Sequence, residues 1–336
     1  MDKKRIAVNG LGRIGRLVLR DLLDDARYEV AAVNDIASME TLAYLLKYSS
    51  ERGTYRADED IRAEGGELVV GNTRIPAFQE AEAADLPWGE LGVDVVLDCS
   101  GAYTSKQKAQ AHLDAGAKRV LVSAAAGADV PTVVFGINED ELGDDAIVSA
   151  ASCSTVGLSP LAAALDACAP ILHGMSTTVH ALTPSQMVLD DAQRNGNLRR
   201  SRTAGTNIIP TSAAAAKAVG LVIPSLNGKL SGYAIRVPVT KGSLITLHAC
   251  VDSDALDVQA VNDSIRNWTA NRPMFSYTEE ELVSEDIANT RLESIFDGTQ
   301  TKVAPLGNGT SLVEVATWFD NETSYVSHYM ELVALM

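Results

Sequence analysis

Basic residues, and lysine above all, are scarce in this chain. Its 336 residues include 44 Asp and Glu against 28 Lys and Arg, a formal net charge of −16 at pH 7, and only ten of the basic residues are lysines. Because such a charge repels phosphate backbones and anionic lipids, we expect neither a nucleic acid nor a membrane as a partner. Abundant carboxylates with few lysines also suit concentrated salt, which screens their mutual repulsion. We therefore predict a halophilic microbial protein, with an ordinary acidic protein as the alternative.

Cysteines and long apolar runs are also few. The four cysteines (Cys99, Cys153, Cys168 and Cys250) have neither a close pairing nor zinc-ligand spacing. We therefore predict a reduced, cytoplasmic protein without a bound metal. No run of 18 or more apolar residues occurs, so we expect no membrane span. A hydrophobic share of 46% is nevertheless ample for a core, and the length favours two domains.

The two halves of the chain have different strand patterns. The strands predicted in the first half, with helices between them, are 5–8, 30–33, 93–97 and 119–122. This alternation predicts a parallel sheet. The later segments are long and alternate apolar with polar residues; they are 171–181, 231–239, 243–251 and 311–318. Such segments predict a mixed or antiparallel sheet with one covered face, so the fold class is α/β in the first half and α+β in the second.

A glycine-rich turn links the first strand to the first helix. It reads Gly-Leu-Gly-Arg-Ile-Gly at 10–15. Gly10 permits the turn, Gly12 lets backbone approach a pyrophosphate, and Gly15 lets the helix pack against the strand. Asp35 ends the second strand, where a carboxylate accepts hydrogen bonds from ribose hydroxyls and repels a 2′-phosphate. We predict a Rossmann-type domain that binds NAD, with NADP as the alternative.

A cysteine and a histidine are the candidate reactive groups. Cys153 precedes an apolar helical stretch, so it lies near a helix start, where the dipole stabilises a thiolate. His180 ends an alternating strand beside a polar loop, where it could pair with a thiolate and move protons. On local grounds alone, buried packing remains open for the cysteine and a structural role for the histidine.

With these motifs in place, the sequence resembles the phosphorylating glyceraldehyde-3-phosphate dehydrogenases over essentially its whole length. The matching segments, in the family's order, are 9–16, 31–35, 45–48, 151–154, 177–180, 207–210, 216–220, 236–238 and 318–322. The resemblance implies a dinucleotide-binding domain of residues 1–151 with 321–336, and a catalytic domain of residues 152–320. It also implies a homotetramer in which the loop 183–207 approaches a neighbouring subunit.

The resemblance implies a covalent mechanism for the oxidation of a triose phosphate. Cys153 would attack the aldehyde carbon of D-glyceraldehyde 3-phosphate, and His180 would move the protons. Oxidation with NAD(P)⁺ would leave a thioester, and inorganic phosphate would then release 1,3-bisphosphoglycerate. The reaction is reversible and would serve glycolysis or gluconeogenesis.

The same resemblance assigns roles to individual residues. Those implied for the cofactor are Gly10, Gly12, Arg13, Ile14, Gly15, Asp35, Ser100, Ser123, Asn321 and Tyr325. Those implied for the substrate phosphate are Thr183 and Arg236. Those implied for the attacking phosphate are Ser152, Ser154, Arg200, Ala213 and Ala214. Arginine suits the phosphate roles because its planar fork binds phosphate oxygens in pairs.

The sequence departs from the family pattern at several of these positions. Ala213 and Ala214 stand where the family has Thr-Gly, which removes one hydroxyl donor to the attacking phosphate. Asp191-Ala192 stands near the place where NAD-specific members carry Leu-Pro, which keeps NADP open. Erythrose-4-phosphate dehydrogenase and amino-acid semialdehyde dehydrogenase, which share the thiol, histidine and dinucleotide chemistry, remain the alternative functions.

Overall fold

The structure is a computed structural model that describes residues 3–193 and 196–336. Its α-helices are α1 (Arg13–Asp24), α2 (Met39–Lys47), α3 (Lys106–Asp114), α4 (Cys153–Cys168), α5 (Ala215–Val222), α6 (Val258–Thr269) and α7 (Thr323–Leu335). Its strands are β1 (Lys4–Asn9), β2 (Tyr28–Asn34), β3 (Tyr48–Ser49), β4 (Gly53–Thr54), β5 (Ile61–Glu64), β6 (Glu67–Val70), β7 (Thr73–Phe78), β8 (Val95–Asp98), β9 (Arg119–Val122), β10 (Ile147–Ser149), β11 (Ile171–His180), β12 (Ile209–Ser212), β13 (Leu230–Arg236), β14 (Ser243–Val251), β15 (Phe275–Thr278), β16 (Ser294–Asp297), β17 (Lys302–Pro305) and β18 (Ser311–Phe319).

The chain divides into two compact units. The first comprises Met1–Val133, Glu139–Ala151 and Tyr329–Met336, and the second comprises Val134–Asn138 and Ser152–His328. This division places residues 321–328 with the second unit. The functional boundaries expected from the sequence, at residues 151 and 321, stay a prediction.

The first unit contains one twisted sheet whose strand order is β10-β9-β8-β1-β2-β7-β6-β5. The strands from β10 to β7 are parallel, as the strand–helix alternation predicted. At the other end, β7, β6 and β5 pair antiparallel, an addition that the sequence reading did not anticipate. Residues such as Ile6, Val96 and Leu121 are fully buried because helices flank the parallel strands.

The element boundaries in this unit follow from local capping and pairing. Helix α3 begins at Lys106, because the Ser105 side chain accepts a hydrogen bond from the Lys108 backbone and so caps it. The strand expected from Val93 begins at Val95. The strand at 119–122 lies where it was predicted.

The second unit contains a mixed sheet with the strand order β12-β13-β11-β14-β18-β16-β15, with β17 paired to β18. The inward face of β14 is fully buried, as the alternation predicted; it consists of Ile245, Leu247, Ala249 and Val251. Side chains of α4 and α6, including Leu161 and Ile265, belong to the same apolar cluster. One face of the sheet is therefore covered by helices, and the α/β and α+β fold class is confirmed.

Within residues 3–193 and 196–336, no helix has the length and apolar character required to cross a membrane. The same residues contain no group of three or more His, Cys, Asp or Glu side chains arranged to hold a metal ion.

Candidate functional site

A cavity of about 260 Å³ lies at the carboxyl ends of the first unit's central strands. It is lined by Asn9, Gly10, Gly12, Asn34, Asp35, Ile36, Glu80, Ala81, Cys99, Ser100, Ala102 and Tyr103. Gly12 is the N-cap of α1 and supplies no side chain to the first turn. The backbone N–H groups at this helix start, together with the helix dipole, form a site for an anion.

The glycines of the turn differ in what surrounds them. Gly10 has φ +90°, and a Cβ on it would lie 2.5 Å from the backbone nitrogen of Ser100. A Cβ on Gly15 would overlap the carbonyl oxygen of Gly10. Gly12 has no atom within 4 Å of its Cβ position, so backbone is exposed there to a ligand. The first and third glycines therefore serve the turn and the packing, and the second leaves room for a pyrophosphate.

Asp35 follows β2 at the rim of this cavity. Its Oδ2 accepts a hydrogen bond from the Leu11 nitrogen at 2.6 Å, and its Oδ1 accepts one from the Ala37 nitrogen at 2.9 Å. These bonds hold the carboxylate in one orientation. Glu80 adds a second acid to the lining, and none of the lining residues is basic. The residues present thus fit a dinucleotide, and they favour a free ribose hydroxyl over a 2′-phosphate.

A row of hydrogen-bonded side chains runs across the strand ends beside the cavity, and the sequence analysis did not predict it. Asn34 Nδ2 donates to Asn9 Oδ1 at 2.8 Å, and Asn9 Nδ2 donates to Asp98 Oδ1 at 2.9 Å. The Asn34 amide also binds both backbone groups of Glu80. Burial raises the pKa of Asp98. The available signal was that Asn9, Asn34 and Asp98 are each the last residue of a strand.

The other first-unit residues predicted for the cofactor lie around the same strand ends. Arg13 and Ile14 open α1 and are half-buried. Ser100 donates from its hydroxyl to Asp98 Oδ1 at 2.7 Å. Ser123 follows β9, and its nitrogen donates to the Asp98 carbonyl at 2.9 Å.

Cys153 is the first residue of α4. The preceding Ser152 caps the helix, because its Oγ accepts a hydrogen bond from the Thr155 nitrogen. Ser154, the next residue of the first turn, is half-buried. The positive end of the helix dipole therefore lies at Cys153, directly after the capping Ser152.

His180 is the last residue of β11 and only 1% of it is exposed. Its Nε2 lies 3.6 Å from Cys153 Sγ, so the structure brings the predicted pair together within one unit. The ring meets the Phe319 ring edge to face, with 5.9 Å between centroids. A histidine held in this way by packing can exchange a proton with the thiol.

Arg236 lies on the other side of the His180 ring. The two residues are register partners at the ends of the parallel strands β11 and β13, which explains why they meet. Arg236 Nη1 lies 2.6 Å from His180 Nδ1 and 3.0 Å from the carbonyl oxygen of Ala181. His180 Nδ1 is also 2.7 Å from that oxygen. The arginine predicted for the substrate phosphate thus also contacts the candidate base.

Thr183 and Arg200 belong to one hydrogen-bond network. Thr183 Oγ1 is 2.8 Å from Ser185 Oγ, which accepts from Arg200 Nη1 at 3.0 Å. Arg200 Nε donates to Thr211 Oγ1 at 2.9 Å, and Gln186 Oε1 accepts from the Thr183 nitrogen at 2.8 Å. The two residues were predicted for different phosphate pockets. Ser185, Gln186 and Thr211 were missed, since isolated hydroxyl and amide residues carry no motif.

The remaining predicted residues lie on helix starts of the second unit. Ala214 is the N-cap of α5, directly after Ala213, and provides no side-chain cap. Asn321 is 4% exposed, and among the described residues neither atom of its amide has a hydrogen-bond partner. Tyr325, in α7, is 3% exposed. Within the predicted loop 183–207, residues 194 and 195 lie outside the described residues.

Other cysteines and histidines have structural surroundings. Burial, with a smaller contribution from the Asp98 charge, raises the pKa of Cys99 to about 12, so this thiol stays protonated near neutral pH. Burial lowers the pKa of His112 to about 4, and its Nδ1 accepts a hydrogen bond from Trp88 Nε1 at 3.1 Å. Neither residue fits a role in proton transfer at neutral pH.

Comparison with known proteins gives a family. Residues 4–106 match the family model described as the glyceraldehyde 3-phosphate dehydrogenase NAD binding domain, and residues 152–321 match the model of its C-terminal domain. The chain is 44% identical over 331 residues to the glyceraldehyde-3-phosphate dehydrogenase of Clostridium acetobutylicum, which covers 98% of this chain and 97% of that protein. It is 47% identical over 339 residues to that of Kitasatospora aureofaciens, which covers 99% of this chain and 98% of that protein. This chain belongs to the glyceraldehyde 3-phosphate dehydrogenase family.

Proposed function

We propose that this protein is a phosphorylating glyceraldehyde-3-phosphate dehydrogenase. It oxidises D-glyceraldehyde 3-phosphate with NAD⁺ and inorganic phosphate to 1,3-bisphosphoglycerate, reversibly, in glycolysis or in gluconeogenesis. The observation that carries this proposal is the contact between Cys153 at the start of α4 and His180 at the end of β11. The Cys153 sulfur lies 3.6 Å from His180 Nε2. Relatives at 44–47% identity over nearly the full chain carry the same name, which supports it.

Catalysis begins with the thiolate of Cys153. Its sulfur forms a bond to the aldehyde carbon, and the carbonyl oxygen takes the proton that His180 holds at Nε2, which gives a hemithioacetal. His180 Nε2 then takes the hydroxyl proton back as the carbon is oxidised, which leaves a thioester on Cys153. The imidazole is buried, and its Nε2 lies 3.6 Å from the attacking sulfur, so it stays close to the bond that the sulfur forms.

When bound, NAD supplies the nicotinamide ring that accepts the hydride. Gly10, Gly12 and the first turn of α1 would hold its pyrophosphate, and Asp35 its ribose hydroxyls. The buried amide of Asn321, which has no hydrogen-bond partner among the described residues, fits the nicotinamide carboxamide that the family resemblance implies. Tyr325, Ser100 and Ser123 stay predicted cofactor contacts.

Inorganic phosphate completes the reaction by attacking the thioester carbon and displacing the Cys153 thiolate. Ser152 and Ser154 flank Cys153 in the chain, and Arg200 and the backbone at Ala213 and Ala214 complete the predicted pocket for this anion. Thr183 and Arg236 are proposed for the phosphate of the substrate. Guanidinium and backbone N–H groups offset the repulsion that a net charge of −16 imposes on these anions.

The decisive experiment is an assay of purified protein in concentrated KCl. We expect reduced cofactor to form from D-glyceraldehyde 3-phosphate and NAD⁺ only when phosphate is present. An equal rate without phosphate would favour the erythrose-4-phosphate dehydrogenase alternative, since that enzyme releases its thioester to water. Turnover of an amino-acid semialdehyde in preference to the triose phosphate would favour the other alternative.

The glycine turn provides a matched pair of variants. Gly15→Ala should lower the free energy of unfolding by about 1–3 kcal/mol, because its Cβ overlaps the Gly10 carbonyl. Gly12→Ala should change it by less than about 1 kcal/mol, because nothing lies near its Cβ. The same methyl group would meet the pyrophosphate, so NAD should bind about tenfold more weakly. Urea unfolding and NAD titration measure the two effects; wild-type NAD affinity in Gly12→Ala would place the pyrophosphate elsewhere.

The charge of Asp35 should decide between the two cofactors. Asp35→Asn keeps an acceptor for the Leu11 nitrogen but removes the charge, so we expect the NAD-over-NADP preference to fall by about tenfold. Binding of each cofactor by calorimetry measures this ratio. Asp114→Asn, which removes the same charge from the end of α3, is the control and should leave the ratio unchanged. An unaltered ratio in Asp35→Asn would assign the preference to other residues.

We also propose the finer assignments that the family resemblance implies. Residues 1–151 with 321–336 bind the dinucleotide, residues 152–320 carry the chemistry, and the enzyme works in the cytoplasm as a homotetramer. Exposed apolar side chains on the second unit, Met175, Val188, Leu189 and Leu198, support assembly. Sedimentation at several protein concentrations tests it, and a monomer at assay concentration would exclude it.

We further propose that the acidic composition is an adaptation to salt. Raising KCl from about 0.1 M to 1 M shortens the screening length from about 10 Å to 3 Å, so repulsion among the excess carboxylates should fall. The unfolding temperature should therefore rise by about 10 °C or more. Sorbitol at matched osmolality, which does not screen charge, is the control. A stability that is independent of KCl would remove the halophilic proposal.

A further inference from the structure

The guanidinium of Arg200 is held by two hydroxyl groups from different parts of the second unit. Its Nε donates to Thr211 Oγ1 at 2.9 Å, and its Nη1 donates to Ser185 Oγ at 3.0 Å. No carboxylate among the described residues forms an ion pair with Arg200, whereas Arg202, two positions further on, pairs with Asp190. Because hydroxyl acceptors are neutral, they leave the charge of Arg200 available for an anion.

The two hydroxyl contacts use only part of the donor capacity of Arg200. A guanidinium carries five N–H groups, and these bonds engage one on Nε and one on Nη1. The other N–H groups, on Nη1 and Nη2, make no hydrogen bond within the part of the chain that the structure describes. They are sufficient for a paired contact with two oxygens of a phosphate group.

Thr211 is the more rigid of the two hydroxyl partners. It lies in β12, where it is 6% exposed, whereas Ser185 is a half-buried residue of the loop after β11. A β-branched side chain in a strand has few χ1 rotamers, so Thr211 presents its oxygen in a fixed direction. The Nε atom belongs to the rigid plane of the guanidinium. The Thr211 bond to Nε therefore restrains the direction of the whole fork.

The sheet places Thr211 on the same face as the candidate base. Thr211 is the register partner of Ala234 in β13, and Arg236 lies two residues further along that strand. Arg236 in turn is the register partner of His180 in β11. Register partners and alternate residues of a strand point to the same face of a sheet. Thr211 therefore holds Arg200 on the face where His180 lies.

We propose that Thr211 is a positioning residue that fixes the Arg200 guanidinium for a phosphate group. An unrestrained arginine side chain has many rotamers, and its ordering on binding would weaken the affinity for the anion. Thr211 provides this order beforehand, so the phosphate group meets a preformed fork. The inference rests on the proposed function, which provides two sources of the group, inorganic phosphate and the phosphorylated aldehyde.

Steady-state kinetics of Thr211→Val test this role, because valine keeps the shape of threonine and removes the acceptor. We expect the KM for inorganic phosphate or for D-glyceraldehyde 3-phosphate to rise about tenfold, since the fork is no longer fixed. The kcat at saturating concentrations should stay within about twofold of the wild type. The KM that rises identifies the source of the phosphate group. Thr211→Ser retains the hydroxyl and should return that KM towards the wild-type value.

A second variant and a control separate positioning from general damage. In an Arg200→Met background, Thr211→Val should change neither KM further, because Thr211 acts through the guanidinium. Thr177→Val makes the same substitution on the opposite face of the sheet and should keep wild-type kinetics. Calorimetric titration with inorganic phosphate in the absence of aldehyde does not depend on turnover. It should show the same loss of affinity in Thr211→Val.

Wild-type KM values for both phosphate compounds in Thr211→Val would overturn the role of Thr211. An equal rise in KM in the Arg200→Met background would also overturn it, as would a Thr211→Ser variant that behaves like Thr211→Val. Failure of the proposed function gives a different result, since the wild type itself would then lack phosphate-dependent oxidation. The calorimetric comparison of Thr211→Val with the wild type would still decide whether Thr211 positions Arg200.

Discussion

Replacing Cys153 with serine should lower the kcat of phosphate-dependent oxidation by at least about 10⁴-fold. A serine hydroxyl at the start of α4 stays protonated near neutral pH, so it attacks an aldehyde poorly. It would also be a worse leaving group than a thiolate when phosphate attacks. The variant exchanges a single heavy atom, with oxygen in place of sulfur, and leaves the Ser152 cap in place. Steady-state rates with saturating NAD⁺ and phosphate measure the effect.

The control for this variant lies on the same helix. Cys168 ends α4, so Cys168→Ser loses a thiol at the far end of the helix and should retain wild-type kcat. Unfolding curves and NAD titrations should agree for both variants and the wild type. Turnover by Cys153→Ser within tenfold of the wild type would exclude Cys153 as the nucleophile.

Replacing His180 with asparagine should lower kcat by about 10²–10⁴-fold, the range expected when a general acid–base group is removed. The same variant should slow the alkylation of Cys153 near neutral pH, because the imidazole that takes the thiol proton is missing. Asparagine fills a similar volume, so the packing against Phe319 changes little. Rates of oxidation and of iodoacetamide labelling, each followed against pH, measure the two effects.

His173→Asn is the matched control for this experiment. His173 lies near the other end of β11, away from the sulfur, and both assays should be unaffected by its replacement. Wild-type alkylation in His180→Asn, with kcat reduced, would limit the histidine to proton transfer on the substrate. Wild-type values in both assays would remove His180 from the mechanism.

Much of the candidate site could be predicted from the sequence because its signals are local. A glycine turn between a strand and a helix, an acid at the end of the next strand and a cysteine at a helix start each depend on a few neighbouring residues. The roles of Arg236 and Thr183 came from family resemblance instead, because a single arginine or threonine has no local signal. The same limitation explains why Ser185, Gln186 and Thr211 were missed.

The sequence by itself indicated the dinucleotide-binding turn, a candidate cysteine and a candidate histidine, and the two types of sheet, since periodicity and turn chemistry are properties of contiguous residues. Only the tertiary structure decided which distant residues meet. The order of strands places Asn9, Asn34 and Asp98 side by side, although Asn9 and Asp98 are 89 positions apart. It also brings Arg236 to His180 across 56 positions. Backbone hydrogen bonding sets such register between strands that the chain connects only through long excursions, so no local pattern encodes these contacts.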